Sequence, residues 1–254
     1  MKLLRFMIRL LPLGLLLFAV WCDFNSNYAA IPQPKESANP LPLAGKFDPA
    51  KCGTITGRVA WNGGTPITPP FIYGVPNADG NFHVRMIPNP NRPAIDDKSG
   101  AVAGAVVFLR GIDPAQAKPW NLPPARVEMK DRGIFVVRGA ATGRTGFVRR
   151  GESVEMVSKE PAYHVLRARG AAFFSLAFPD AEQPLSRTLD KPGRVELSSG
   201  AGYYWASADL FVVDHPYYAI TDGDGGFTFE QVPEGAVEVA AWLPGWDYVD
   251  QQRD

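Results

Sequence analysis

Thiols, imidazoles and unbalanced charge are what this chain has least of. Two cysteines and three histidines occur in 254 residues. One of the cysteines, Cys22, closes an apolar N-terminal run, which leaves Cys52 without a partner in a processed chain. A disulfide framework is thereby excluded, and so are zinc sites built on paired CxxC motifs. Lysine plus arginine number 26 against 26 acidic residues. No global field exists to recruit nucleic acid, and no nucleic-acid partner is expected. Sustained helical periodicity and repeats of fixed period are missing too. So are a G-x-S-x-G elbow, an H-E-x-x-H pair, a phosphate loop and a Cys-His nucleophile pair. The expectation is a protein that is not an enzyme, with no catalytic residue and no cofactor. A hydrolase assembled from dispersed carboxylates is the distant exception, and Asp96-Asp97 has no obvious acid or base partner for that role.

The excess lies in turn formers. Twenty-five Gly and 24 Pro interrupt helices and suit many short strands joined by loops, so an all-β fold is expected. Residues 1–22, basic at Lys2, Arg5 and Arg9 and then apolar from Leu10 to Trp21, have the form of a signal peptide or membrane anchor. Cys22 raises lipid attachment, although Trp21 is larger than the residue a lipobox places there; cleavage near Ala29 or Ala30 is a further alternative. The expected location is outside the cytoplasm, in the periplasm, cell envelope or medium, with membrane contact only through this segment. Residues 23–50, rich in Pro, Asn and Ala, are expected to be a disordered linker.

The folded part begins with GTITGRVAWNGG, where Ile55, Gly57, Val59 and Trp61 share a strand face before an Asn-Gly-Gly turn. Residues 64–100 are Pro-rich and aperiodic and are expected to form a long surface loop. AVAGAVVFLRGI follows, with an apolar run from Val106 to Leu109. From about Pro119 the pattern becomes ARVEMK, GIFVVR, GESVEMVS, AYHVLRA, AFFSLAF, GRVELSS and WASADLFVV. Val154 and Met156 alternate with Glu155, and Val195 and Leu197 flank Glu196, so each strand has one wet face and one buried face. Seven such strands imply a β-sandwich. TDGDGGFTFEQVPEGAVEV closes the chain as a hairpin. Its Asp222 and Asp224 could suggest calcium, but the distal bidentate Glu of such loops is missing and a hairpin turn is the preferred reading.

Three separated segments, GTITGRV, GAVVFL and TDGDGGFTFEQVPEGAVEVAAW, resemble the transthyretin-like, carboxypeptidase-regulatory-like domain. Ala236 and Val237 depart from the aromatic that family often carries after the Gly. The resemblance implies a small non-catalytic sandwich, often classed as carbohydrate-binding-like, made of residues 52–112 plus 215–248. Between its halves, residues 119–214 resemble an inserted cupredoxin, a Greek-key β-sandwich. The whole chain resembles exported, planctomycete-type bacterial proteins that combine these two domains. Cupredoxins carry a His after an early strand and a Cys, His and Met on the loop entering the last strand, commonly C-x-x-H-x-W-M. In that alignment His164 keeps the first ligand position, while Gly200, Tyr203 and Ala206 replace the others and no metal is expected. Restoring Cys, His and Met at positions 200, 203 and 206 is expected to restore a copper chromophore.

The expected function is that of an exported, non-enzymatic binding or structural protein of the cell envelope. Its partner would be a polysaccharide or another envelope protein, met by a candidate ligand surface of Tyr203, Tyr204, Trp205, His215, Tyr217 and Tyr218. Arg149, Arg150, Arg167 and Arg169 could gather an anion, or simply pair with Glu152, Glu155 and Glu160 on solvated strand faces. A copper-binding electron carrier with atypical ligands and a carbohydrate-binding module are the alternatives.

Overall fold

The computed structural model describes residues 17–22, 46–76 and 79–245. They are all-β: strands and loops, one short 3-10 turn at Pro49–Lys51 and no α-helix among the described residues. No helix there is long and apolar enough to cross a membrane. The leader and linker expected over residues 1–50 fall largely outside the described residues.

Two compact units divide these residues, one from residues 17–22, Asp48–Ile112 and residues 217–245, the other from residues 46–47 and Asp113–Pro216. The first unit contains β1 (Leu17–Cys22), β2 (Cys52–Trp61), β3 (Phe71–Pro76), β4 (Phe82–Ile87), β5 (Ala94–Ile95), β6 (Val102–Ala103) and β7 (Val106–Arg110). The second unit holds β8 (Ala125–Lys130), β9 (Gly133–Arg138), β10 (Ala141–Gly143), β11 (Thr145–Arg149), β12 (Glu152–Ser158), β13 (His164–Gly170), β14 (Phe174–Phe178), β15 (Leu185–Leu189), β16 (Gly193–Ser199) and β17 (Ser207–Val213). The chain then returns to the first unit as β18 (Tyr218–Ile220), β19 (Gly226–Pro233) and β20 (Glu238–Trp242).

In the first unit, β1 runs parallel to β2, and β19 runs antiparallel on the other side of β2. A second sheet has the order β18-β7-β20. Alternation places Ile55 and Val59 of β2 and Phe227 and Phe229 of β19 in the core with Val106 and Leu109 of β7. The hairpin expected over residues 221–239 is corrected, because β19 pairs with β2 while β18 and β20 pair with β7; the TDGDGG segment is a turn between the two sheets. Asp222 Oδ1 accepts the amides of Asp224 (3.0 Å) and Gly226 (2.7 Å). Thr221, buried, donates to the Val102 carbonyl and accepts from the Ala105 amide. Gly225 must be glycine, because φ is +75° and a Cβ would sit 2.4 Å from the Val59 carbonyl oxygen.

The surface-loop expectation for residues 64–100 is corrected in part: β3 and β4 pair antiparallel over six residues each, and β5 pairs with β6. The hairpin escapes a periodicity search because β4 buries nothing before Ile87 and β3 carries apolar residues on both faces, Phe71 buried and Ile72 exposed. Every residue of β4 before Ile87 is exposed.

The second unit is a sandwich of two five-stranded sheets, ordered β10-β9-β8-β12-β15 and β11-β17-β16-β13-β14. Most neighbours are antiparallel, but β8 with β12 and β11 with β17 run parallel. Consecutive strands therefore cross between sheets, from β10 to β11, β11 to β12, β12 to β13, β14 to β15 and β15 to β16, in a Greek-key path. Three of these strands, β10, β11 and β15, were not foreseen. Val127, Val136, Val154 and Met156 line one inner face, and Leu166, Leu176, Val195, Leu197 and Leu210 the other.

Candidate functional site

At one end of the second sandwich, three connections meet. The β8–β9 hairpin turns through Asp131 and Arg132, both left-handed with φ near +51° and +56°. Two adjacent left-handed residues make the tight two-residue turn whose twist suits a hairpin, here without the usual glycine. The turn presents both Arg132 backbone groups to its neighbours. Arg132 N–H donates to Glu160 Oε1 at 3.1 Å, and its carbonyl accepts the indole N–H of Trp205 at 3.1 Å.

Glu160, in the β12–β13 connection, uses its second oxygen for His164, whose Nε2 lies 2.9 Å from Oε2. His164 opens β13 and is only 4% exposed. A buried imidazole needs a partner, and the carboxylate fixes the proton on Nε2. The loop from β16 to β17 closes the ring. Tyr203 lies against His164 with centroids 5.9 Å apart, and Trp205 packs on Tyr203 at 5.5 Å. Tyr204 meets Trp205 edge-on at 5.4 Å and is half exposed. The circuit Arg132, Glu160, His164, Tyr203, Trp205 and back to Arg132 thus ties the turn of one sheet to β13 and the β16–β17 loop of the other. Each aromatic contact of this kind is worth about 0.5–1.5 kcal/mol beyond its buried area.

His164, Tyr203, Tyr204 and Trp205 are therefore brought together, and Ala206 is buried beside them in sequence. Gly200 is placed differently. A Cβ there would lie 2.7 Å from Val165 Cγ1 and 2.8 Å from Arg167 Nε. Val165 and Arg167 project from the face of β13 opposite that of His164, Leu166 and Ala168, which are the buried ones. A cysteine at 200 would aim its sulfur away from His164, so the geometry lends no support to the copper chromophore expected from substitution at 200, 203 and 206. Ser199, opposite Leu166 in the β13–β16 ladder, is the residue on the inward face.

The donor chemistry does not fit a blue copper ion. Such a centre takes a thiolate and two imidazoles. Both cysteines belong to the first unit, where Cys52 donates to the Asp48 carbonyl and burial pushes its thiol up from the usual range. Of the His, Cys, Asp and Glu among the described residues, no three are grouped as metal ligands would be.

The other candidates separate. Tyr217 is fully buried, its hydroxyl donating to the Gln231 carbonyl at 2.6 Å, which corrects its assignment to a ligand surface. Tyr218 stacks on Phe108 at 5.1 Å, and His215 is half-buried. Among the arginines, Arg150 pairs with Asp214 at 3.0 Å, whereas Arg167 and Arg169 are exposed on β13. Asp96 accepts from the Ser99 hydroxyl and from the Ser99 and Lys98 amides, bonds led by that hydroxyl that hold its carboxyl below the usual range. Asp97 accepts from the Thr65 hydroxyl. The Asp96-Asp97 pair thus serves a turn.

A second polar cluster went unnoticed in the sequence. Asp209, buried on β17, accepts from Arg194 Nε at 2.7 Å. Burial pushes its pKa up against the pull of Arg194 and Arg144. Arg144, lowered by burial, donates to the carbonyl and hydroxyl of Ser207.

No protein-family model matches the chain, and no curated protein matches it. Among solved structures, a copper(I) amicyanin variant is 17% identical over 35% of this chain and 82% of its own length, with a TM-score of 0.28. A purple cupredoxin from Nitrosopumilus maritimus is 11% identical over 35% of this chain and 99% of its own, also at 0.28. A copper-containing nitrite reductase from Thermus scotoductus is 17% identical over 38% of this chain and 24% of its own, at 0.28.

Proposed function

We propose that this chain is an exported, non-enzymatic binding or structural protein of the cell envelope, built on a cupredoxin-type sandwich whose metal position has become a structural clasp. The observation that carries the reading is the closed circuit through Glu160, His164, Tyr203 and Trp205. The one imidazole on the loop-bearing end is committed to a carboxylate, and an aromatic ring stands beside it. The strand order of the second unit, with its parallel β8–β12 and β11–β17 pairs, supports the cupredoxin frame independently of sequence.

The half-exposed Tyr204, braced edge-on by Trp205, is the ring best placed for a ligand, because a pyranose face stacks on an exposed aromatic. A polysaccharide is therefore the preferred ligand class. The test combines secretion with binding. Expressed with its own N-terminus in a Gram-negative host, the chain should appear in the envelope or periplasmic fraction. It should bind one of a panel of envelope and algal polysaccharides saturably, and Tyr204→Ala should abolish that binding. Retention in the cytoplasm would contradict the export reading. Release of reducing ends from a bound polysaccharide would contradict the non-enzymatic one.

A further inference from the structure

The hairpin of β3 and β4 has two unlike faces. Ile72 stands opposite Met86, and Gly74 opposite Val84, with Phe82 next along the same side. The intervening pairs, Phe71 with Ile87 and Tyr73 with Arg85, point the other way, and Phe71 is buried. On the first face Ile72 is 58%, Phe82 69%, Val84 71% and Met86 69% exposed, and none of these residues carries charge. Among the described residues the two strands form a sheet of their own with no third strand. An isolated two-stranded hairpin is marginal in water and ordinarily needs one face covered.

The four side chains together expose about 500 Å², near the upper end of what a monomer leaves uncovered. Ile67, ahead of β3, is almost fully exposed and extends the apolar surface. Doubled by two-fold symmetry, the patch reaches about 1,000 Å², the lower bound for specific association. An uncharged strip offers nothing to a charged partner and is complementary to itself under a two-fold rotation. We propose that a second copy of this chain covers it: two β3–β4 hairpins pack face to face in an isologous dimer, with Val84 near the axis.

Sedimentation velocity on the full chain across the micromolar range should show a concentration-dependent dimer. Val84→Lys, which buries an unpaired charge only in the dimer, should weaken association by roughly a hundredfold. Arg85→Glu, on the opposite face, should leave it unchanged. The N-terminal apolar segment is common to all variants, so the difference between them isolates the hairpin. In a Cys22→Ser, Cys52→Ser background, Val84→Cys should oxidise to a disulfide-linked dimer and Arg85→Cys should not. A wild-type chain that stays monomeric overturns the proposal, as does a dimer indifferent to Val84→Lys when circular dichroism shows that variant folded. Flotation of monomers with phosphatidylglycerol vesicles, lost on Val84→Lys, would overturn it in favour of a lipid surface.

Discussion

Removing the carboxylate of Glu160 should release the clasp at its centre. Glu160→Ala leaves the Nε2–H of His164 without its acceptor in a site only 4% exposed, and the Arg132 amide without Glu160 Oε1. The amide lies at an exposed turn and water can replace the lost bond at little cost. The imidazole is buried and can be met only by water entering the space Glu160 leaves, and a buried donor that loses its acceptor costs about 1–3 kcal/mol. His164→Phe keeps a ring against Tyr203 and leaves Glu160, partly exposed, able to turn to water, so its cost should be about 1 kcal/mol or less. Because the two groups meet directly, Glu160→Ala in the His164→Phe background should cost about 1–2 kcal/mol less than in wild type. Urea titration followed by near-ultraviolet circular dichroism gives the four stabilities. The transition assigned to the second unit must be fitted separately, since two units need not unfold together. Equal Glu160→Ala costs in both backgrounds would refute the clasp as the device that holds this end of the sandwich.

Tyr217→Phe should lower stability by about 1 kcal/mol through loss of the bond to Gln231; polysaccharide binding that disappears while stability is unchanged would return Tyr217 to a ligand surface. Asp209 has a folded pKa above its unfolded value, so its contribution is fully present below the ordinary carboxylate range and is lost as pH rises through the folded pKa. The cost of Asp209→Asn should therefore shrink as pH rises above the ordinary carboxylate range, and urea midpoints showing a cost that grows with pH would mean that the Arg194 ion pair outweighs desolvation. The Gly200→Cys, Tyr203→His, Ala206→Met variant should stay colourless with Cu(II), because residue 200 faces Arg167 rather than His164; a thiolate charge-transfer band in it would show that the loop rearranges.

The alternation in ESVEMV and RVELS made the sandwich strands legible, since one buried face per strand leaves a period of two in the sequence. Strands without a buried face left no such trace. Leu185–Thr188 are all exposed on β15, and the exposed β3–β4 hairpin sat among prolines that read as loop. At the site, His164, Tyr203 and Trp205 could be associated by resemblance to a known loop pattern. Their partners could not. Glu160 precedes His164 by four residues in an irregular connection, where that spacing implies no shared face, and Arg132 contributes through its backbone alone. The adjacent Asp131-Arg132 between two strand runs was the only hint of the turn that aims those groups. Gly200 shows the limit of matching letters. Counting back from Trp205 gives the right loop, but the pleat of β16 and β13 decides which side each residue faces.

Side chains close this end of the sandwich through the circuit of Glu160, His164, Tyr203 and Trp205. The full chain, equilibrated with Cu(II) and separately with Cu(I), dialysed and assayed for retained metal beside its absorption and spin-resonance spectra, tests this most directly. The predicted result is a folded protein with no retained copper and no charge-transfer band. Near-stoichiometric copper with a thiolate charge-transfer band would contradict it and make the chain an electron carrier with ligands drawn from elsewhere in the fold.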